Sequence, residues 1–241
     1  RDFSSPEGTS RPSSGQASTT SGYNSILGPE RAKAIKLISA DAAEWIGECA
    51  LVACENATLC LDPFHIVRWA TQALDVVRRW VWNVLRSLGL SGRAKHLKGC
   101  RYALWKNPED LTDRQASKLA WIAKHNSRLY RAYLLKEQLR LVFQHRGDEA
   151  VAMLDDWLAW SRRSQIPAFV DLYHRIKKHR DGIVAAVTHG LSNGLTESVN
   201  TKLRLLTRIA YGFRSTDNLI ALCLLDRGGH CPPLPGRQTA A

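Results

Sequence analysis

The sequence predicts an α/β protein that is mostly α, and three observations carry that prediction. Two short apolar runs, at 35–40 and 57–61, flank a helical stretch at 42–54, and each run stops on an aspartate, Asp41 or Asp62. Beyond Asp62, apolar residues recur at three- and four-residue steps through most of the chain. Turn and cap residues fall where those periodic runs stop, as at Gly89, Thr112 and Ser192-Asn193-Gly194.

The first stretch, 1–24, is rich in Ser, Thr, Gly and Pro without apolar periodicity, so a disordered segment is expected over 1–27. Pro29 suits a first helical turn, and a short helix is expected over 29–34. The order strand, helix, strand that follows implies a parallel pair, because parallel strands need a crossover between them. Ile66, Ala70, Ala73, Val77, Val81, Val84 and Leu88 then make one apolar helix face, leaving Arg68, Arg78, Arg79 and Arg86 to other faces. Residues 89–99 break the pattern. Thr112 with Gln115 reads as a capping box. Helices are expected over 127–144, 149–163, 167–188 and 195–211, with another from about Ser215, before a loose tail at 228–241.

The formal net charge of +12 favours an anionic partner, and nucleic acid is the commonest. The six cysteines form no C-x-x-C pair, which argues against a zinc knuckle. Scattered thiols and the lack of a signal segment predict a reducing, cytoplasmic setting. No apolar run is long enough to span a bilayer. The eight tryptophans are expected to anchor the core and interfaces.

Asp41 and Asp62 sit at the carboxyl ends of the two expected strands, where open α/β sheets gather catalytic groups. Glu197 falls in the first turn of a later helix. Carboxylates converging from such places suit hard divalent cations, which assist phosphodiester cleavage. The plainer readings are a dipole-complementing Glu and an Asp-Pro turn. His65 either orients an acid or satisfies the Asp62 turn.

Two stretches resemble the insertion-sequence transposases of the ISL class. One is Asp62-Pro63-Phe64-His65-Ile66-Val67, followed by 73–79, which is similar to that family's D-x-F-H motif. The other is Ser192-Asn193-Gly194-Leu195-Thr196-Glu197, continued by Ile209-Ala210-Tyr211-Gly212-Phe213-Arg214. The stretch 97–108 resembles the actinobacterial branch, and the likeness covers about 29–237. The resemblance implies a partial ribonuclease H-like core at 28–65, a large all-helical insertion at 66–190, and core helices at 191–227. It implies Asp41 and Glu197 as catalytic, metal-holding acids, with Asp62 and His65 supporting them; Asp62 is the other candidate for the middle acid. Mg²⁺ or Mn²⁺, double-stranded transposon ends and a homo-oligomer are what the family leads one to expect. The family's first catalytic Asp has no counterpart here, since Asp2 lies in no plausible strand. The 241-residue chain alone is therefore expected not to cut or join DNA. A non-catalytic DNA-binding regulator and a decayed remnant are the rival readings, with an RNA-binding helical protein more remote.

Basic surfaces complete the reading. Arg93, Lys95, His96, Lys98, Arg101 and Lys106 cluster around Tyr102 and Trp105, as a DNA-binding patch or as a solvated loop with Trp105 in the core. Lys202, Arg204 and Arg208 extend from Glu197, with Arg204 and Arg208 spaced to share its face, either as further DNA contacts or as an intrahelical network. The run at 175–180 reads as a solvated helix face.

Overall fold

A computed structural model describes residues 28–227. The expected disorder at 1–27 and the loose tail at 228–241 lie outside the described residues. Two compact units divide at Ser192/Asn193.

The first unit opens with α1 (Pro29–Ala34), whose Gly28 cap at φ 73 precedes proline at the first helical position. β1 (Leu37–Ala40), α2 (Glu44–Ala53) and β2 (Thr58–Leu61) follow, and the strands pair in parallel with Leu37 opposite Thr58 and Ala40 opposite Leu61. This is the crossover that the sequence predicts. α2 lies close on β2, because a Cβ at Gly47 would meet Leu59 Cδ2 at 2.9 Å.

α3 (Pro63–Ser87) begins at once after Asp62 and buries Ile66, Ala70, Ala73, Val77 and Val81 of the face read from its periodicity, together with Trp69 and Leu74; Val84 is half-buried, and Leu88, expected on that face, is exposed just past the helix end. Against it pack α7 (Ser127–Val142) and α9 (Pro167–Lys178), and α8 (Gly147–Arg163) packs on both of those. Trp157 is fully buried, and its indole N–H donates to the Leu135 carbonyl at 2.8 Å, so the largest core side chain leaves no polar atom unsatisfied. Ser161 donates to the Phe169 carbonyl at 2.8 Å, closing the α8–α9 corner. Phe169 is itself completely buried.

Two expectations change. Residues 89–99 are not a plain break. After Gly89, at φ 73, the chain forms α4 (Ser91–Lys98) and then α5 (Arg101–Trp105). Burial of Ala94, Leu97, Cys100 and Leu104 outweighs the helix-weakening glycines. The single helix expected over 167–188 is two, because the chain breaks at His179 between α9 and α10 (Arg180–His189). There α10 docks on β2 closely enough that a Cβ at Gly182 would meet Leu61 Cγ at 2.8 Å. α6 (Asp113–His125) carries the expected box: Gln115 N–H donates to Thr112 Oγ1 at 3.4 Å, and Thr112 N–H donates to Gln115 Oε1 at 3.1 Å.

The second unit holds α11 (Gly194–Ile209) and α12 (Thr216–Arg227), joined through Tyr211 and Gly212, both at positive φ. Among the described residues no helix is long and apolar enough to cross a membrane. Among the described residues, Cys54, Cys60, Cys100 and Cys223 are free thiols.

Candidate active site at the carboxyl end of the strand pair

The parallel register brings Asp41 and Asp62 to the same sheet edge, since each stands one residue beyond a strand end. The ladder continues for one more bond, Asp62 N–H donating to the Ala40 carbonyl at 3.0 Å. Pro63 then starts α3 immediately, which places His65 three residues on and over the Asp62 carboxylate. His65 Nδ1 lies 2.8 Å from Asp62 Oδ2 and 3.1 Å from Asp41 Oδ1. A neutral ring has one hydrogen, so with Nδ1 protonated that single N–H is shared by both carboxylates. The Asp62 side chain is 1% exposed, that of His65 22% and that of Asp41 46%, so the cluster runs from the core out to solvent.

One ligand atom from each of Asp41, Asp62 and His65 lies within 4.8 Å of the other two. Two carboxylate oxygens and one imidazole nitrogen are donors that could hold a divalent cation.

Asp41 opens on a cleft of about 420 Å³ whose walls include Glu48, Leu51, Leu61, Lys178 and His179. Lys178 and His179 come from the end of α9, in the run read from sequence as a solvated face. A stack fixes that end against α3: the Arg175 guanidinium lies 3.5 Å over the Trp69 ring, and the His179 ring centre is 5.8 Å from it. Burial there lowers the Arg175 pKa from its ordinary value. Local spacing holds no signal for this arrival, because it depends on the helix break at His179.

Glu197 stands exposed in the first turn of α11, in the second unit, and Lys202, Arg204 and Arg208 are exposed along the same helix. Arg93, Lys95, Lys98 and Arg101 are exposed on α4 and α5. Trp105 is half-buried against the core, with the Arg101 guanidinium 3.9 Å over its ring, so it takes the inward of the two orientations left open by the sequence.

The parallel strand pair thus ends in an Asp–Asp–His cluster framed by helices, at the edge where open α/β sheets gather ligands. A family model described as a transposase, of the DDE type and ISL3 class, matches residues 15–223, and the chain belongs to that family. It is 56% identical over 231 residues to the transposase for insertion sequence element IS1557 of Mycobacterium tuberculosis, in strains CDC 1551 and H37Rv, a match that takes in 88% of this chain and 52% of the relative. It is 29% identical over 164 residues to the transposase for insertion sequence element IS1001 of Bordetella parapertussis, covering 67% of this chain and 40% of that one. The chain thus spans about half the length of the curated relatives it matches. No solved structure matches it.

Proposed function

We propose that this chain carries part of the catalytic centre of a DNA transposase that cleaves and joins strands at insertion-sequence ends. The observation that carries the reading is the meeting of Asp41, Asp62 and His65 at one sheet edge, in a chain of transposase family. In this reading 28–65 belongs to a ribonuclease H-like core, 66–190 is its helical insertion, and Asp41 and Glu197 are catalytic acids. Asp41, with Asp62 and His65 behind it and Glu197 as a further carboxylate, would hold Mg²⁺ or Mn²⁺. The ion, when bound, would supply Lewis-acid polarisation of the phosphodiester and activate the attacking oxygen.

The chain's own groups do the rest. His65 Nδ1–H holds the Asp41 and Asp62 carboxylates in register. Lys178, across the cleft, is placed to draw in a phosphate's negative charge. Water attacks phosphorus in line and the bond to the 3′ oxygen breaks, which frees a 3′ hydroxyl. That hydroxyl then attacks a target phosphodiester, giving up its proton as the new P–O bond forms, and the bond from that phosphorus to the target's 3′ oxygen breaks, leaving a target 3′ hydroxyl. Double-stranded DNA at the transposon ends is the substrate, and the basic faces of α4, α5 and α11 are candidates for holding it.

Mn²⁺ titration followed by electron paramagnetic resonance tests the reading. Asp41→Asn should weaken Mn²⁺ binding by tenfold or more while the melting temperature stays put. Equal Mn²⁺ affinity in the parent and Asp41→Asn chains would refute the assignment.

A further inference from the structure

We propose that the groove between α4 and α6 is a binding track for a nucleic-acid phosphodiester backbone, distinct from the carboxylate site at the sheet end. The proposal rests on the reading of this chain as part of a DNA-acting enzyme, and it adds residues that the sequence patch around Trp105 leaves out.

The groove has a volume of about 520 Å³ and is lined by Lys95, His96 and Gly99 from one side and by Arg114, Lys118 and Trp121 from the other. Three cations converge there, and no carboxylate is among the lining residues. Lys118 is anchored, because its ammonium donates to the Gly99 carbonyl at 2.6 Å. A methyl at Gly99 would come within 3.3 Å of that nitrogen, so the ammonium sits close against the Gly99 backbone. One of the three ammonium donors is used this way, and the charge stays at the groove wall.

Two nearby acids are held elsewhere. Glu109 takes the Arg140 guanidinium at 2.8 and 3.1 Å, and Asp110 accepts from Asn107 at 3.1 Å. The aromatic residue of the groove is committed too. The Trp121 ring stacks on His125 at 4.9 Å and 21°, and its centre is 4.3 Å from the His96 ring. Trp121 therefore braces the helices, and the groove offers charge and not a platform for a base. That combination selects a backbone over a base and predicts sequence-independent, salt-sensitive binding.

The test is fluorescence anisotropy of the full 241-residue chain with a labelled 20-base-pair duplex, and with a single strand of the same length, across a salt series. Arg114→Gln with Lys118→Gln should weaken duplex binding about tenfold at low salt. It should also lower the slope of log affinity against log salt by about 1.8, for two lost phosphate contacts at about 0.9 each. Lys95→Gln with Arg114→Gln leaves the Lys118–Gly99 bond in place and should give a similar loss, which guards against misfolding of the first variant. Unchanged affinity and slope in this second variant, with DNA binding by the parent intact, overturns the groove and leaves the transposase reading standing. A loss confined to the single strand overturns it as well, because that outcome means base stacking. A parent chain that binds no duplex sinks both readings.

Discussion

Two clusters of charge in the first unit make opposite use of the same chemistry. In the helical block, Lys136 pairs with Glu137, and Arg140 bridges Glu137 and Glu109 at 2.8 Å each. The Lys136 side chain is 2% exposed and donates to the Leu104 and Lys106 carbonyls at 3.2 and 3.4 Å. Each charge there meets a partner: even Glu109, 54% exposed at the outer end, holds the Arg140 guanidinium with both oxygens. At the sheet end, Asp62 is as deeply buried, but its neighbour Asp41 is nearly half exposed on an open cleft. Depth of burial does not separate the two. What separates them is whether one member of the cluster is left facing a space that a ligand can enter.

The largest effect expected from breaking this contrast lies in the closed cluster. Glu137→Ala strips Lys136 and Arg140 of their shared partner and leaves a buried ammonium without its counter-charge. Urea denaturation should show a loss of about 3–5 kcal/mol. Asp62→Ala should cost less, about 1–3 kcal/mol in the same measurement, because the group lost is a buried hydrogen-bond partner of His65.

A smaller effect depends on pH. Burial, and then the charge of Glu137, push the Tyr133 hydroxyl well above its ordinary value of 10.0. Unfolded, that tyrosine loses its proton near 10; folded, it keeps it. The native state then holds more protons, so stability falls as pH climbs above 10. Lys136 works the other way. Burial lowers its pKa from 10.5, the native state gives up its proton first, and stability gains as pH rises towards 10.5. Tyr133→Phe removes only the loss. Its melting curve should therefore move above that of the parent by at most about 1.4 kcal/mol per pH unit beyond pH 10.

The smallest change in stability belongs to the open cluster. Asp41→Asn should shift unfolding by no more than about 0.5 kcal/mol, as suits a half-exposed side chain, while it abolishes tight Mn²⁺ binding. A stability loss like that of Glu137→Ala would show that Asp41 is a structural charge and would erase the contrast.

Much of this edge was legible in the sequence, for a local reason. Asp41 and Asp62 punctuate short strands, Pro63 starts a helix, and strand-helix-strand order forces a parallel pair whose ends coincide. The face of α3 was legible because its period is unbroken from Ile66 to Val81. α4 was hidden by Gly92 and a run of cations, although Ala94, Leu97 and Cys100 keep a helical step and are buried. Lys178 and His179 were hidden more thoroughly. Their place beside Asp41 follows from a helix break and from a stack on Trp69, neither of which leaves a periodic trace. The anion groove was half legible: Lys95 belonged to a basic run, but Arg114 and Lys118 face it only because α6 folds back on α4.

The missing side chain at Gly182 has a wider consequence. Its contact with Leu61 joins the far end of the helical block to the strand that delivers Asp62. An attempt to shorten the protein by excising 66–190 would thus remove a buttress of the Asp41–Asp62 sheet edge, not a detachable accessory. Any side chain larger than hydrogen at this seam would have to displace Leu61, and with it the end of the strand that carries Asp62.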